Sequence, residues 1–280
     1  MMDFFAGAQE VLRAYTLLPP EIVIPAVGIL GLFVGSFLNV CIDRLIAGKS
    51  ILWPPSHCES CGKNLTALDL VPVLSWLCLR GRCRTCGARL SVAYPLSELV
   101  TGALFATAAW RYGVSAELAA TMVFSSIFLV LAGIDLRTSL LPDVLTLPAA
   151  VLALPAAIWI FGLSPIDAIL GGVLGAGVFW ALALWWRFRT GTEGLGLGDV
   201  KLMLSIGFLT GAMRLPLSVL VACVAALLGF AAVRVLGKKL EGLRMPFGPF
   251  LVFGALVTLF FGDTLWGMWL GFLLGKGAVA

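Results

Sequence analysis

The chain has 280 residues, of which 60% are hydrophobic and only 12% are charged. Soluble domains average about 45–50% apolar and about 25% charged residues, so this composition excludes a soluble globular enzyme, a disordered chain and a fibrous protein. The length allows several membrane spans of roughly 20 residues each. We therefore predict an all-α polytopic membrane protein. The net charge is +4, but the positions of the charged residues along the chain are more informative than this total.

Apolar runs predict about eight transmembrane helices. Two runs are weaker than the rest: Pro95–Trp110 carries Glu98 near its start, and Leu202–Met213 is short for a bilayer core of about 30 Å. The first clear run lacks the features of a cleaved signal peptide, so we expect a retained span there. The six clear runs are Ile22–Ile42, Leu118–Ile134, Val144–Ile166, Ala168–Trp186, Leu215–Val233 and Met245–Gly262.

The distribution of Lys and Arg predicts the orientation of these spans. With eight spans, fifteen of the 19 basic residues lie on one side of the membrane and four on the other. Lys and Arg are retained on the cytoplasmic side during insertion, so we expect the basic loops in the cytoplasm and both termini outside. The loops of the basic side are 43–94, 135–143, 187–201 and 234–244.

Glycines at four-residue spacing occur in two of the predicted spans. Gly31 and Gly35 form one pair, and Gly171 and Gly175 form the other. Small residues at this spacing let two helix backbones approach closely. We expect close packing between helices of one chain, and a dimer face is the alternative.

Residues 43–94 form a polar insert with two Cys-x-x-Cys knuckles. Cys58 and Cys61 form the first, Cys83 and Cys86 form the second, and 21 residues separate them. Four thiolates suit a tetrahedral structural Zn²⁺, and His57 next to the first knuckle could replace a ligand. Two disulfides or a redox pair are the alternatives, but stable disulfides are rare in the cytoplasm. We predict a small cytoplasmic zinc-ribbon-like insert.

Three acids lie at the predicted cytoplasmic membrane boundary. Asp135 ends a span, Asp143 follows it, and Asp199 comes after three glycines at alternate positions. Acids at membrane depth are costly and are therefore candidates for function. The glycine pattern lacks the spacing of a Walker A loop, so carboxylate chemistry is favoured over nucleotide binding.

Two carboxyl groups held together can share one proton, so that one activates water while the other protonates a carbonyl oxygen. Asp135 lies at a helix C-terminus and Asp199 at a helix N-terminus, where the helix dipole favours negative charge. This predicts a pair with Asp199 ionised and Asp135 protonated. The alternative is structural: Asp199 is an N-cap and Asp135 only terminates a span.

These residues resemble a known family. The Gly196-Leu197-Gly198-Asp199 turn is similar to that of GxGD membrane aspartyl proteases, and the chain resembles bacterial type IV prepilin leader peptidase/N-methyltransferases. Glu59 departs from the family, which often has Pro there. Besides the four-Cys insert, the matching motifs are Gly35–Val40, Arg80–Cys83, Tyr94–Leu99, Ile134–Asp135, Leu141–Asp143, Gly196–Lys201 and Pro246–Phe250.

The resemblance implies a multi-pass enzyme of the bacterial inner membrane, with its active site facing the cytoplasm and both termini in the periplasm. It would cleave the basic leader of type IV prepilins and type II secretion pseudopilins with Asp135 and Asp199. It would then methylate the new N-terminal residue with S-adenosylmethionine. Its partners would be these substrates and membrane lipid, with no nucleic acid. Its expected domains are residues 1–42 with the first span, the insert 43–94 and a peptidase core 95–280.

Some assignments stay open at this point. No Rossmann glycine motif is present, so the residues that bind S-adenosylmethionine are unknown, and Glu98 and the segment 35–44 are only candidates. Lys201 either pairs with an acid or marks the membrane edge. Pro246–Phe250 either holds unwound backbone beside the site or is the first turn of the last helix. The alternative functions are a peptidase without methyl transfer and an ion-coupled transporter.

Overall fold

The protein is described by a computed structural model over residues 19–192, 194–235 and 246–273. These residues form eight α-helices, a short 3₁₀ turn at Ala67–Leu70 and no β-strand. The chain divides into two compact units, Met1–Val130 and Leu131–Ala280. The helices are α1 (Pro20–Ile46), α2 (Leu74–Cys78), α3 (Ala93–Tyr112), α4 (Ala116–Thr138), α5 (Asp143–Trp159), α6 (Pro165–Thr190), α7 (Leu197–Val235) and α8 (Gly248–Leu273).

The all-helical membrane architecture predicted from composition is confirmed. Five helices, namely α1, α4, α6, α7 and α8, are long and apolar enough to cross a membrane, and α5 is a shorter apolar helix. Each predicted span overlaps a helix, and Met245, the first residue of the last predicted span, lies outside the described residues. The predicted run Val144–Ile166 was too long, because α5 ends at Trp159 and a turn through Gly162 leads to Pro165 at the start of α6.

Helix α7 contains two of the predicted spans. At about 1.5 Å per residue, a straight helix of its 39 residues would be far longer than the bilayer core of about 30 Å. The helix breaks at Gly211, whose φ of 70° and ψ of 165° are not helical. The Asp167 carboxylate accepts from the Ala212 N–H at 3.1 Å and so caps the helix beyond the break. The short predicted span that begins at Leu202 and the longer predicted span that begins at Leu215 therefore start in separate helical segments, one before and one after this break.

In the first unit, α1 and α3 pack through small residues. A Cβ on Gly31 would lie 2.8 Å from Cα of Gly102, and a Cβ on Gly35 would lie 2.8 Å from Cα of Glu98. Neither position has room for a side chain. The Asn39 amide then links the two helices, because it donates to the Tyr94 carbonyl at 3.3 Å. This close approach brings the C-terminal end of α1 against the start of α3.

In the second unit, α6 and α7 make the same kind of contact. A Cβ on Gly171 or on Gly207 would overlap the backbone of the other glycine, and a Cβ on Gly175 would lie 2.9 Å from the Met203 carbonyl oxygen. The predicted close packing within the chain is thus confirmed for both glycine pairs. The predicted domain boundaries at 42 and 94 stay a prediction.

Candidate active site

Asp135 lies near the end of α4 in the second unit and is almost fully buried, with 5% of its surface exposed. Its Oδ2 accepts a hydrogen bond from the Gly248 N–H at 3.0 Å. Gly248 is the first residue of α8, where backbone N–H groups have no partner within their own helix. Gly248 therefore both begins the last helix and contacts Asp135, while Pro246 and Phe247 precede that helix.

Gly248 is also a place where only glycine fits. A Cβ at this position would lie 2.5 Å from Oδ2 of Asp135, well inside van der Waals contact. The absent side chain lets the helix end meet the carboxyl directly. A glycine in the Pro246–Phe250 motif was visible in the sequence, but its contact with Asp135 was not.

Asp199 lies in the first turn of α7, and its N–H donates to the Gly196 carbonyl at 3.1 Å. It is the third residue of the helix, so it is not the N-cap that the structural alternative required. A Cβ on Gly198 would lie 2.7 Å from Cβ of Leu141. Glycine at 198 therefore lets the start of α7 press against the turn between α4 and α5.

Both carboxyl groups line one cavity of about 360 Å³. Asp135 also faces the start of α8 through Gly248, so the helix-dipole argument no longer separates the two acids. The protonation order stays a prediction. The other residues around the cavity are Ser139, Leu140, Leu141, Asp143, Trp180, Ala183, Leu184, Arg187, Leu195, Gly196, Leu197, Gly198 and Lys201.

Asp143 lines the same cavity but is engaged in an ion pair. Its Oδ1 lies 2.6 Å from Nζ of Lys201, and more than half of its side-chain surface is exposed. Of the two interpretations of Lys201, the structure favours the pairing with an acid. Asp143 is thus set apart from the two other acids by its partner and by its exposure.

The four predicted ligand cysteines converge in the first unit. The Sγ atoms of Cys58, Cys61, Cys83 and Cys86 all lie within 4.8 Å of one another, and those of Cys58 and Cys86 are 3.8 Å apart. A tetrahedral zinc with bonds of about 2.3 Å to sulfur places its ligands about 3.8 Å apart. The cluster therefore has the dimensions of a metal site with four thiolates.

The two knuckles have the same backbone conformation. Each closes on a glycine in the left-handed region, with φ of 71° at Gly62 and 70° at Gly87. Backbone amides of Cys61 and Ser60 that face the Cys58 sulfur lower the pKa of that thiol to about 6.

The four sulfurs do not ionise equally easily. The Ala88 amide lowers the pKa of Cys86, but burial and the neighbouring thiols outweigh it and raise that pKa to about 11. Metal ligation requires all four as thiolates.

The alternative assignments of these cysteines, to two disulfides or to a redox pair, do not match this arrangement. Every cysteine of the chain is a free thiol in the structure, and four of them share one cluster instead of forming two bonded pairs. His57 is not part of the cluster, and its Nδ1 lies 3.1 Å from the Pro55 carbonyl oxygen. The four cysteines alone could hold the ion.

The first unit also contains a second, larger cavity of about 950 Å³, which the sequence did not reveal. It is lined by the ends of α1 and α3 and by the four-Cys insert. Glu98, one of the candidates from the sequence, lines it with only 7% of its surface exposed. Trp76 also lines it, and no motif pointed to that residue.

The fold and the first cavity define a class: a polytopic α-helical membrane protein with two carboxyl groups facing one cavity. Two family models match the chain, the bacterial peptidase A24 N-terminal domain over residues 29–112 and the type IV leader peptidase family over residues 122–231. The second match includes Asp135 and Asp199. No solved structure matches the chain significantly.

Curated relatives cover nearly the whole chain. A prepilin leader peptidase/N-methyltransferase of Burkholderia pseudomallei (strain 1026b) is 36% identical over 93% of both chains. Proteins with the same name from Pseudomonas putida and Bacillus subtilis (strain 168) are each 35% identical, over 91% and 88% of this chain and 96% and 98% of their own. The chain belongs to the type IV leader peptidase family.

Proposed function

We propose that this protein is a membrane aspartic endopeptidase that removes the leader of type IV prepilins and then methylates the new N-terminal residue. The family membership and the relatives' two-part name support both activities. The observation that carries the peptidase activity is the pair of carboxyl groups on one cavity, inside the part matched by the leader peptidase model.

In the proposed peptidase reaction, Asp135 and Asp199 share one proton. The ionised carboxyl takes a proton from water, whose oxygen attacks the scissile carbonyl carbon, while the protonated carboxyl donates to the carbonyl oxygen. The tetrahedral intermediate then collapses as a carboxyl proton goes to the leaving amine. We propose that Asp199 is the ionised member at rest. Titration of the carboxyl signals would test this, and ionisation of Asp135 first would contradict it.

The proposed substrates are prepilins and the pseudopilins of type II secretion. A prepilin joins a basic leader to an apolar helix in the bilayer, so its cleavage point lies at the cytoplasmic membrane boundary. Asp135 near the end of α4 and Asp199 at the start of α7 are at the ends of apolar helices, as this substrate requires. We further propose that the enzyme resides in the bacterial inner membrane, surrounded by lipid. The excess of Lys and Arg on one side supports a cytoplasmic active site and periplasmic termini.

Two non-protein groups belong to the proposal. The four-cysteine cluster would hold a structural Zn²⁺, because it offers thiolates at tetrahedral spacing and no open position. S-adenosylmethionine would supply an electrophilic methyl group to the amine that cleavage exposes. The alternative is a peptidase without methyl transfer, in which the zinc insert only stabilises the fold.

The test is mass spectrometry of a prepilin incubated with purified protein and S-adenosylmethionine, in detergent and without an ion gradient. We expect loss of the leader and a mass increase of one methylene on the product. Asp135→Asn and Asp199→Asn should each abolish cleavage. Asp143→Asn is the matched control and should retain cleavage within about threefold, since an exposed ion pair contributes little.

Different failures of this experiment have different meanings. Cleavage that persists in Asp199→Asn would refute the assignment of the aspartate pair. Cleavage without added mass would support the peptidase that lacks methyl transfer. An intact prepilin with folded wild-type protein would refute the peptidase activity toward that substrate.

A further inference from the structure

Helix α6 forms one wall of the cavity that holds the two aspartates. The residues of this wall are Trp180, Ala183, Leu184 and Arg187, which follow one another at the spacing of a single helix face. At 1.5 Å per residue, Trp180 and Arg187 lie about 10 Å apart along the helix axis. The wall is therefore apolar from Trp180 to Leu184 and becomes cationic at Arg187, in the last turn of the helix.

Ala183 has the smallest side chain on this wall. Its neighbours on the same helix face are the indole of Trp180, three residues before it, and the guanidinium of Arg187, four residues after it. Ala183 is half-buried, whereas Trp180 is 53% exposed. A methyl group between two long side chains leaves a recess in the wall.

The turn before α7 supplies a second apolar wall. Glycine and leucine alternate in it, as Gly194-Leu195-Gly196-Leu197-Gly198, and both leucines line the cavity. A Cβ on Gly194 would overlap the indole of Trp186, and a Cβ on Gly198 would lie 2.7 Å from Cβ of Leu141. The alternation thus packs these two glycines against neighbouring side chains and leaves the leucines beside the cavity.

Apolar side chains next to the two aspartates indicate the kind of group that enters the cavity. Apolar surface is stabilised when another apolar group covers it and removes it from water. The proposed substrate offers such a group on one side of its cleavage point only, because a basic leader precedes the cut and an apolar helix follows it. The one charge on the α6 wall, Arg187, disfavours a Lys or Arg of the leader there. The residue that fits this wall is the first one of the apolar helix.

We propose that Ala183 and Trp180 of α6, together with Leu195 of the glycine-leucine turn, form the pocket for the first residue after the cleaved bond, and that this pocket selects a large apolar side chain. This inference rests on the proposed function, because it names the residues that choose the substrate of that reaction. These three residues move no proton. Burial of the substrate side chain between them holds the preceding carbonyl beside Asp135 and Asp199, so they set specificity.

The experiment fills the recess and varies the substrate at the same time. Two forms of one prepilin carry phenylalanine or alanine as the first residue after the cut, and kcat/KM for leader removal is measured in detergent. The wild-type protein should prefer the phenylalanine form by about tenfold or more, since each methylene group in an apolar pocket contributes to discrimination. Ala183→Leu should cleave the phenylalanine form at least about tenfold more slowly and the alanine form within about threefold of the wild type.

A second variant enlarges the pocket. Trp180→Ala removes the indole, so it should also lower kcat/KM for the phenylalanine form by about tenfold while the alanine form stays within about threefold. Ala181→Leu is the matched control, because Ala181 lies on the same helix, is exposed and does not line the cavity. It should cleave both forms within about twofold of the wild type, as is usual for a change of exposed surface.

The pattern over the two substrates separates specificity from a merely structural effect. A variant that disturbs folding or the aspartates lowers cleavage of both forms equally, and that result for both Ala183→Leu and Trp180→Ala would overturn the pocket. Equal kcat/KM for the two forms in the wild type would also overturn it, but the proposed peptidase activity would stand. A folded wild-type protein that cleaves neither form would refute the peptidase activity itself, so the two failures are distinguishable.

Discussion

Gly248→Ala tests whether the start of α8 positions the carboxyl of Asp135. The new Cβ would lie 2.5 Å from Oδ2, whereas ordinary van der Waals contact begins at 3.4 Å. The carboxyl and the helix end must therefore separate by about 0.9 Å, the difference between these two distances. That shift carries the hydrogen bond from the Gly248 N–H, now 3.0 Å, out of hydrogen-bonding range.

The expected effect is on catalysis more than on folding. Misplacement of a reacting group by about 1 Å costs roughly a hundredfold in rate, equivalent to about 2.7 kcal/mol of activation free energy. We expect kcat for prepilin cleavage to fall by about that factor, with KM close to the wild-type value. Alanine is at least as good a helix former as glycine, so the helix itself should not be destabilised.

The assay is the time course of leader removal in detergent, with the thermal unfolding midpoint measured in parallel. Gly267→Ala is the matched control, because it lies in the same helix and a Cβ there meets nothing within 4 Å. It should cleave at the wild-type rate. A folded Gly248→Ala protein that cleaves within about threefold of the wild type would refute the positioning role, since such a change is under 1 kcal/mol.

Three further predictions concern the support of the two units. Cys83→Ser should lower the zinc content measured by elemental analysis, whereas Cys78→Ser, outside the cluster, should not; equal zinc in both variants would refute the cluster. Gly207→Ala should destabilise the contact of α6 with α7 by about 1–3 kcal/mol in thermal unfolding, since backbone has to move. Gly177→Ala, with open space around it, is the control, and equal midpoints would contradict the packing argument. Asp167→Ala should cost about 1 kcal/mol by removing the cap beyond the break in α7; an unchanged midpoint would show that the cap is not needed.

Local patterns in the sequence were enough to predict the class of the protein and its candidate site residues. Apolar runs of spanning length require helices, because backbone groups in a bilayer have no water to bind. Two Cys-x-x-Cys knuckles with a following glycine predict a metal site from spacing within a few residues. Asp135 and Asp199 stood out for the same reason, since an acid at the end of an apolar run is costly wherever it occurs.

Contacts between distant residues were decided only by the tertiary structure. The Gly248 amide reaches Asp135, Lys201 pairs with Asp143, and Glu98 shares a cavity wall with Trp76. Each of these depends on which helices pack together and at what distance, and no periodicity within a single segment contains that information. The sequence thus determined which residues could act, and the packing of helices through small residues decided which of them meet.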